Sequence, residues 1–199
     1  YQNLSFAKEY ISFIKTIYEK EKKLRASSEL SQNIAKYLFK LMATKDEYEV
    51  ARLSLKAELD LAISKEFGST AKINYMLHPP FLKAMQNIPV LNLLPGVKSK
   101  LALGSWFKIF YVMLKNMKFL RGTPFDFMAW FSSDVRKADK KVLDFYRDTI
   151  KDKVDEIGNG QYENLIEFSK LPDIIRGYEE VRLDTMDEYF KKSESVFYK

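Results

Sequence analysis

The chain has 199 residues, of which 46% are hydrophobic and 30% are charged, so it can bury a core as one domain or as two small ones. It contains no cysteine, which excludes disulfides, thiol chemistry and a cysteine-ligated iron–sulfur cluster within this segment. No apolar run approaches the roughly 20 residues of a membrane-spanning helix, and the lysine-bearing start lacks the apolar core of a signal peptide. We therefore expect a cytoplasmic location.

The first third of the chain is predicted to be helical, because apolar residues recur there at spacings of three and four. Helices are predicted over residues 6–26, from Ser31 through Met42, over 45–53 as a continuation, and on to Phe67. Ser31 is the candidate N-cap of the second helix, after a break at Ser27 and Ser28. Gly68 is expected to end the last of them.

Two short stretches change this pattern. Residues 72–77 and residues 98–103 alternate polar and apolar side chains, and they stand next to Pro79-Pro80 and Gly104 respectively. Alternation with a period of two is typical of strands. The sequence therefore predicts that the two stretches pair as one short β-ribbon.

The second half returns to helical spacing. The predicted elements are a strongly apolar helix over residues 106–120, an aromatic turn over 125–131, the longest helix from Ser132 or Ser133, a short helix over 162–170 and a last helix from about Glu179. The expected fold class is mainly α. We expect residues 1–199 to form one irregular multi-helix domain with one short β-ribbon.

The formal net charge of +6 is concentrated in one part of the chain. Residues 67–125 contain no Asp or Glu but eight Lys and Arg residues, so this window carries all of the excess positive charge. A local field of this kind attracts an acidic partner or an anion. Lys98, Lys100 and Lys108 of this window are candidate contacts for such a partner.

His78 and Arg121 are further candidate anion or partner contacts. His78 is the only histidine and precedes two prolines, which hold the backbone extended and suit an anion contact, a proton donor or a structural turn. The guanidinium of Arg121 is able to grip a carboxylate or phosphate. The favoured role of Arg121 is structural, in which its guanidinium interacts with the free carbonyls at a helix C-terminus and pairs with Asp126.

Arg176 is the last candidate contact, next to Gly177 in a tight turn that is able to hold the arginine against another domain. The favoured interpretation is an internal salt bridge with Asp173 or Glu179. No catalytic residue is predicted anywhere in the chain, because neither a nucleophile–base arrangement nor a Gly-rich phosphate loop is visible.

Charged residues are dense in residues 45–53, where Glu49 can pair with Arg52 or Lys45 at helical spacing. Metal binding by these carboxylates is not expected, because no histidine lies nearby. The structural interpretation is a set of ion pairs on one helix.

Residues 106–121 combine five aromatic side chains with three lysines, and three interpretations compete. Aromatics beside lysines can stack on single-stranded nucleic acid. A basic amphipathic helix can lie on a membrane surface. The favoured interpretation is a central core helix whose lysines emerge at one edge.

Four segments, in fixed order, carry a resemblance to a known family. They read KDEYEVARL at residues 45–53, LHPP at 77–80, LRGTPFD at 120–126 and LPDIIRGY at 171–178. Together they resemble the C-terminal accessory domain, itself of unknown function, of indolepyruvate ferredoxin oxidoreductase-type proteins. These proteins belong to the 2-oxoacid:acceptor oxidoreductases, and the likeness runs along nearly the whole chain.

The resemblance implies a non-catalytic accessory or assembly domain, excised from a longer oxidoreductase polypeptide. It implies thiamine diphosphate and iron–sulfur clusters in partner domains and no cofactor in this segment. The implied partners are the catalytic domains or subunits, and no nucleic-acid partner is expected. Ferredoxin is a further candidate partner by charge, because ferredoxins are generally acidic and the acid-free window is basic. The alternative from the residues is a basic helical module that binds nucleic acid or an anionic membrane.

Overall fold

A computed structural model of the chain describes residues 2–68, 70–77, 101–131, 133–155 and 160–197. The chain groups into two compact units. Unit 1 consists of residues 1–44 and 134–199, and unit 2 consists of residues 45–133. The described elements are predominantly helical, which confirms the mainly α fold class. The expectation of one single domain stays a prediction.

The secondary structure follows most of the predicted pattern. In chain order the elements are α1 (Leu4–Leu24), α2 (Glu29–Met42), α3 (Glu47–Ser54), α4 (Ala57–Phe67), β1 (Tyr75–Leu77), β2 (Leu101–Leu103), α5 (Lys108–Asn116), α6 (Phe127–Phe131), α7 (Ser133–Lys153), α8 (Tyr162–Lys170) and α9 (Glu179–Phe197), with 3-10 turns at Ser105–Phe107, Met117–Leu120 and Leu171–Ile174. The predicted bounds of α8 and the start of α9 are confirmed. Within the described ranges, no helix has the length and apolarity needed to cross a membrane.

The predicted β-ribbon is confirmed, in a shorter form. Strands β1 and β2 pair antiparallel, with Tyr75 opposite Leu103 and Leu77 opposite Leu101. Each strand has three residues, which are the last three of its alternating stretch. The ribbon belongs to unit 2.

Two predicted helix boundaries are wrong. Ser31 is not an N-cap, because α2 begins at Glu29 and the Ser31 hydroxyl lies inside the helix, donating to the Ser28 carbonyl oxygen at 3.1 Å. Residues 45–53 are helical from Glu47, as predicted, but they belong to a separate helix and do not continue α2. Asp46 starts a new helix, α3, because its carboxylate accepts a hydrogen bond from the Glu49 amide at 2.9 Å and so acts as an N-cap.

The core of unit 1 is built around aromatic rings. Tyr146 of α7 stacks on Phe168 of α8 with ring centroids 5.5 Å apart, and both side chains are fully buried. Phe145 meets the buried Tyr189 of α9 edge-on, at 6.1 Å between centroids. Aromatic pairs of this kind contribute about 0.5–1.5 kcal/mol each beyond the area that they bury. Helices α7, α8 and α9 are therefore joined by ring contacts.

A buried carboxylate fixes the start of α2. Glu21 of α1 accepts hydrogen bonds from the Leu30 and Ser31 amides at 2.9 Å and from the Tyr162 hydroxyl at 2.7 Å. Burial by itself raises the pKa of Glu21, but the hydrogen bonds from Ser31, Tyr162 and Leu30 outweigh it, so the pKa lies below its ordinary value. Glu21 thus joins α1, α2 and α8.

Candidate interaction surface

Helix α5 and the 3-10 turn before it pack against other described elements of unit 2 through one side. Phe107, Tyr111 and Leu114 follow each other at helical spacing, and all three are buried. They share a hydrophobic cluster with Tyr48 of α3 and Met128 of α6. This packing fixes which side of α5 faces the core.

Aromatic rings strengthen that packing. Tyr111 lies edge-on to Phe107 and to Tyr75 of β1, with ring centroids 5.0 and 5.1 Å away. The β-ribbon therefore packs on the same side of α5 as α3 does. Burial raises the pKa of the Tyr111 hydroxyl above its ordinary value.

The opposite side of the same segment is apolar and exposed. Trp106 is 65% exposed, Ile109 77% and Phe119 72%, and about half of each of Val112 and Met113 is exposed. We call these five side chains the 106–119 face. The prediction of a central core helix is wrong for this side, because α3, α6 and the ribbon cover only the other one.

The exposed positive charge of this segment lies at its C-terminal end. Lys115 and Lys118 are exposed, and neither side chain forms an ion pair or hydrogen bond with any other described residue. Lys108, a predicted partner contact, is different. Its ammonium donates to both carboxylate oxygens of Asp60, at 2.8 and 2.9 Å, and this hydrogen bonding raises the pKa of Lys108.

Arg121 forms a largely buried ion pair with Asp46. Its guanidinium donates to the two carboxylate oxygens at 2.5 and 2.7 Å, and the two side chains are only 12% and 9% exposed. The sequence prediction named Asp126 as the partner and missed Asp46. The two paired residues lie 75 positions apart, so no local spacing indicates the contact.

Asp126 stabilises the turn that follows the segment. Its buried carboxylate accepts hydrogen bonds from the Tyr48 hydroxyl at 2.8 Å, from the Gly122 amide at 3.0 Å and from the Ala129 amide at 3.2 Å. These bonds join α3 to the start of α6. Together with the Arg121–Asp46 pair, they hold the C-terminal end of the segment in place.

The remaining predicted residues are not gathered into one site. Arg176 lies in unit 1, where its guanidinium donates to the Asp173 carboxylate at 3.0 Å, which confirms that predicted pair. Arg52 donates to both oxygens of Glu49, at 2.8 and 2.6 Å, which confirms the helical ion pair. His78, Lys98 and Lys100 lie outside the described residues.

The described residues offer an exposed surface as the functional candidate. In the described ranges, no group of three His, Asp or Glu side chains is arranged to hold a metal ion. The candidate charges Lys108, Arg121 and Arg176 are each engaged in an ion pair. The 106–119 face is the functional candidate that the sequence analysis missed, and its only signal was the apolar character of most of that helix's circumference.

Comparison with known proteins places the chain in a family. Residues 1–194 match a family of unknown function, DUF6537. The chain belongs to this family. The match extends over residues of both units. Neither the curated proteins nor the solved structures contain a match to the chain.

Proposed function

We propose that this member of DUF6537 is a non-catalytic accessory domain of a thiamine diphosphate-dependent 2-oxoacid:ferredoxin oxidoreductase of the indolepyruvate type. It packs against the catalytic domains or subunits and orders their assembly. The thiamine diphosphate and the iron–sulfur clusters belong to those partners. The observation that carries this proposal is the exposed apolar 106–119 face.

An exposed apolar surface of this kind is typical of a protein–protein interface. Soluble proteins rarely leave several large apolar side chains exposed together unless a partner covers them. Trp, Phe and Met, which supply Trp106, Phe119 and Met113 here, are enriched at such interfaces. The face is also presented rigidly, because the other side of α5 is fixed by buried aromatic contacts.

The charged residues support a structural role for the chain. An arginine that serves a substrate needs its guanidinium available to that substrate. The Arg121 side chain is only 12% exposed, and its guanidinium donates to both carboxylate oxygens of Asp46. This arrangement suits an arginine that stabilises a turn better than one that binds a ligand.

The test is capture of the catalytic parts by this chain. We would mix the purified 199-residue chain with the separately expressed thiamine-binding and iron–sulfur domains and measure binding by size-exclusion chromatography. A stable, stoichiometric complex is expected. A well-folded chain that elutes alone at micromolar concentrations would rule out the accessory role.

One observation favours a second candidate function, a basic module for nucleic acid or anionic membranes. Lys115 and Lys118 stand exposed beside Phe119, and aromatic side chains next to lysines suit both ligands. This alternative predicts retention on single-stranded DNA or on anionic vesicles that falls steeply with salt. Absence of binding at low salt would remove it.

A further inference from the structure

We infer that the 106–119 face docks a protein surface whose centre is apolar and whose edge, opposite Lys115 and Lys118, is acidic. This inference rests on the proposed function and deepens it, because it names the contact surface and the chemistry of the partner. Its two parts come from different observations, namely the exposed apolar side chains and the distribution of charge along the segment.

Among the described residues of the segment, the positive charge available to a partner lies at one end of the face. At the N-terminal end Asp60 already binds the Lys108 ammonium, so that charge is compensated within unit 2. At the C-terminal end Lys115 and Lys118 have no such partner among the described residues. Along the segment, a docked protein therefore meets four of the five apolar side chains before Lys115, and Phe119 directly after Lys118.

No neighbouring carboxylate in the sequence neutralises those two lysines. Residues 67–125 contain neither Asp nor Glu, so the stretch that carries the face has positive charges only. A complementary acidic edge on the partner lowers the energy of the docked state and speeds the encounter. Because exposed charges are screened beyond about 8–10 Å at physiological salt, the acidic groups must lie close to Lys115 and Lys118.

The dimensions favour a protein partner over a membrane. At about 1.5 Å per residue in α5 and about 2.0 Å in the 3-10 turns, the segment from Trp106 to Lys118 extends roughly 20 Å, which fits within one standard protein interface. Helices that lie on membranes carry their basic residues along the whole polar face. Here the α-helical part has nine residues, and the uncompensated lysines lie only towards its end.

The experiment compares two face variants with two matched controls. Ile109→Gln removes an apolar contact, and its control is Ile11→Gln, since Ile11 is 60% exposed on α1. The double variant Lys115→Glu/Lys118→Glu reverses the basic end. Its control, Lys8→Glu/Lys23→Glu, makes the same change of net charge at exposed lysines of α1.

Each protein is titrated with the separately expressed catalytic domains at 50 and 300 mM salt, after circular dichroism has shown unchanged helix content. We expect each face variant to raise the dissociation constant for the catalytic domains about tenfold at 50 mM salt. For the lysine variant, this difference from the wild type should be smaller at 300 mM salt, because salt screens the charges. The control variants should bind like the wild type.

The outcomes separate the two proposals. If the wild type binds and both face variants bind equally well, the docking inference is overturned while the accessory role stands. If the wild type does not bind, both fall together. Sedimentation with vesicles of phosphatidylserine and phosphatidylcholine tests the membrane alternative. If the wild type binds the vesicles and both face variants do not, the face binds a membrane and the inference of a protein partner is overturned.

Discussion

Replacing the buried carboxylate of Glu21 by an amide should destabilise the protein strongly, although the two groups have nearly the same size and shape. The two oxygens of Glu21 accept three hydrogen bonds, from the amides of Leu30 and Ser31 and from the hydroxyl of Tyr162. The Glu21→Gln side chain has the same shape but only one acceptor oxygen. Its NH2 group must then face at least one buried donor.

The expected loss follows from those contacts. One buried donor left without an acceptor costs about 1–3 kcal/mol. In the remaining hydrogen bonds the acceptor is a neutral amide oxygen in place of a charged carboxylate oxygen, and hydrogen bonds to charged groups contribute about twice as much as those to neutral groups. We therefore expect Glu21→Gln to lower the free energy of unfolding by about 3 kcal/mol in urea denaturation followed by circular dichroism.

A neighbour on the same helix provides the control. The Glu19 side chain is exposed, and its Oε1 lies 3.8 Å from Lys15 Nζ. Because exposed ion pairs contribute little, Glu19→Gln should change the free energy of unfolding by less than about 0.5 kcal/mol. If Glu21→Gln and Glu19→Gln unfold at the same urea concentration, the hydrogen bonds of Glu21 do not stabilise the helix junction and the reasoning fails.

The pH dependence gives an independent check on the same carboxylate. Its folded pKa lies below the ordinary value of 4.5, so its stabilisation is fully present above pH 4.5 and is lost as pH falls through the folded pKa. The stability gap between the wild type and Glu21→Gln should therefore be constant near neutral pH and narrow in acid. A gap that widens as the pH is lowered would contradict this sign.

Three further substitutions test a helix start and two turns. Asp46→Ala removes the partner of Arg121 and the N-cap of α3. We expect it to lower the free energy of unfolding of unit 2 by about 3 kcal/mol. Because both tryptophans lie in that unit, urea unfolding followed by tryptophan fluorescence measures the loss, and an unshifted midpoint would refute it. Gly122 and Gly177 have φ values of +76° and +81°, so alanine should cost about 1–2 kcal/mol at either site. At Gly177 alone the new Cβ would lie 2.7 Å from Val181 Cγ1, so Gly177→Ala should show the lower melting temperature.

Local patterns were sufficient for the class of fold and for several boundaries. The periodic apolar residues and the caps around them predicted α8 and the start of α9, and Gly68, with φ of +85°, ends α4 where expected. Alternation predicted the pairing of β1 with β2. Each of these signals acts over a few residues, because backbone preferences and side-chain periodicity are properties of neighbours in the chain.

The candidate surface could not be obtained in the same way. The composition of residues 106–120 indicates a helix that is apolar on most sides, but it does not say which sides other elements cover. In unit 2 the packing of α3, α6 and the ribbon buries Phe107, Tyr111 and Leu114 and leaves the 106–119 face exposed. The choice of the buried side depends on contacts between distant segments.

The sequence by itself determined a mainly α chain with one short ribbon, an acid-free basic window and the local ion pairs of Arg52 and Arg176. Only the tertiary structure decided that Arg121 pairs with Asp46 and that Glu21 joins α2 to Tyr162, since Asp46 lies 75 positions from Arg121 and Tyr162 lies 141 positions from Glu21. The physical reason is that helix and strand signals come from neighbouring residues. Burial and ion pairing depend on which surfaces meet after folding.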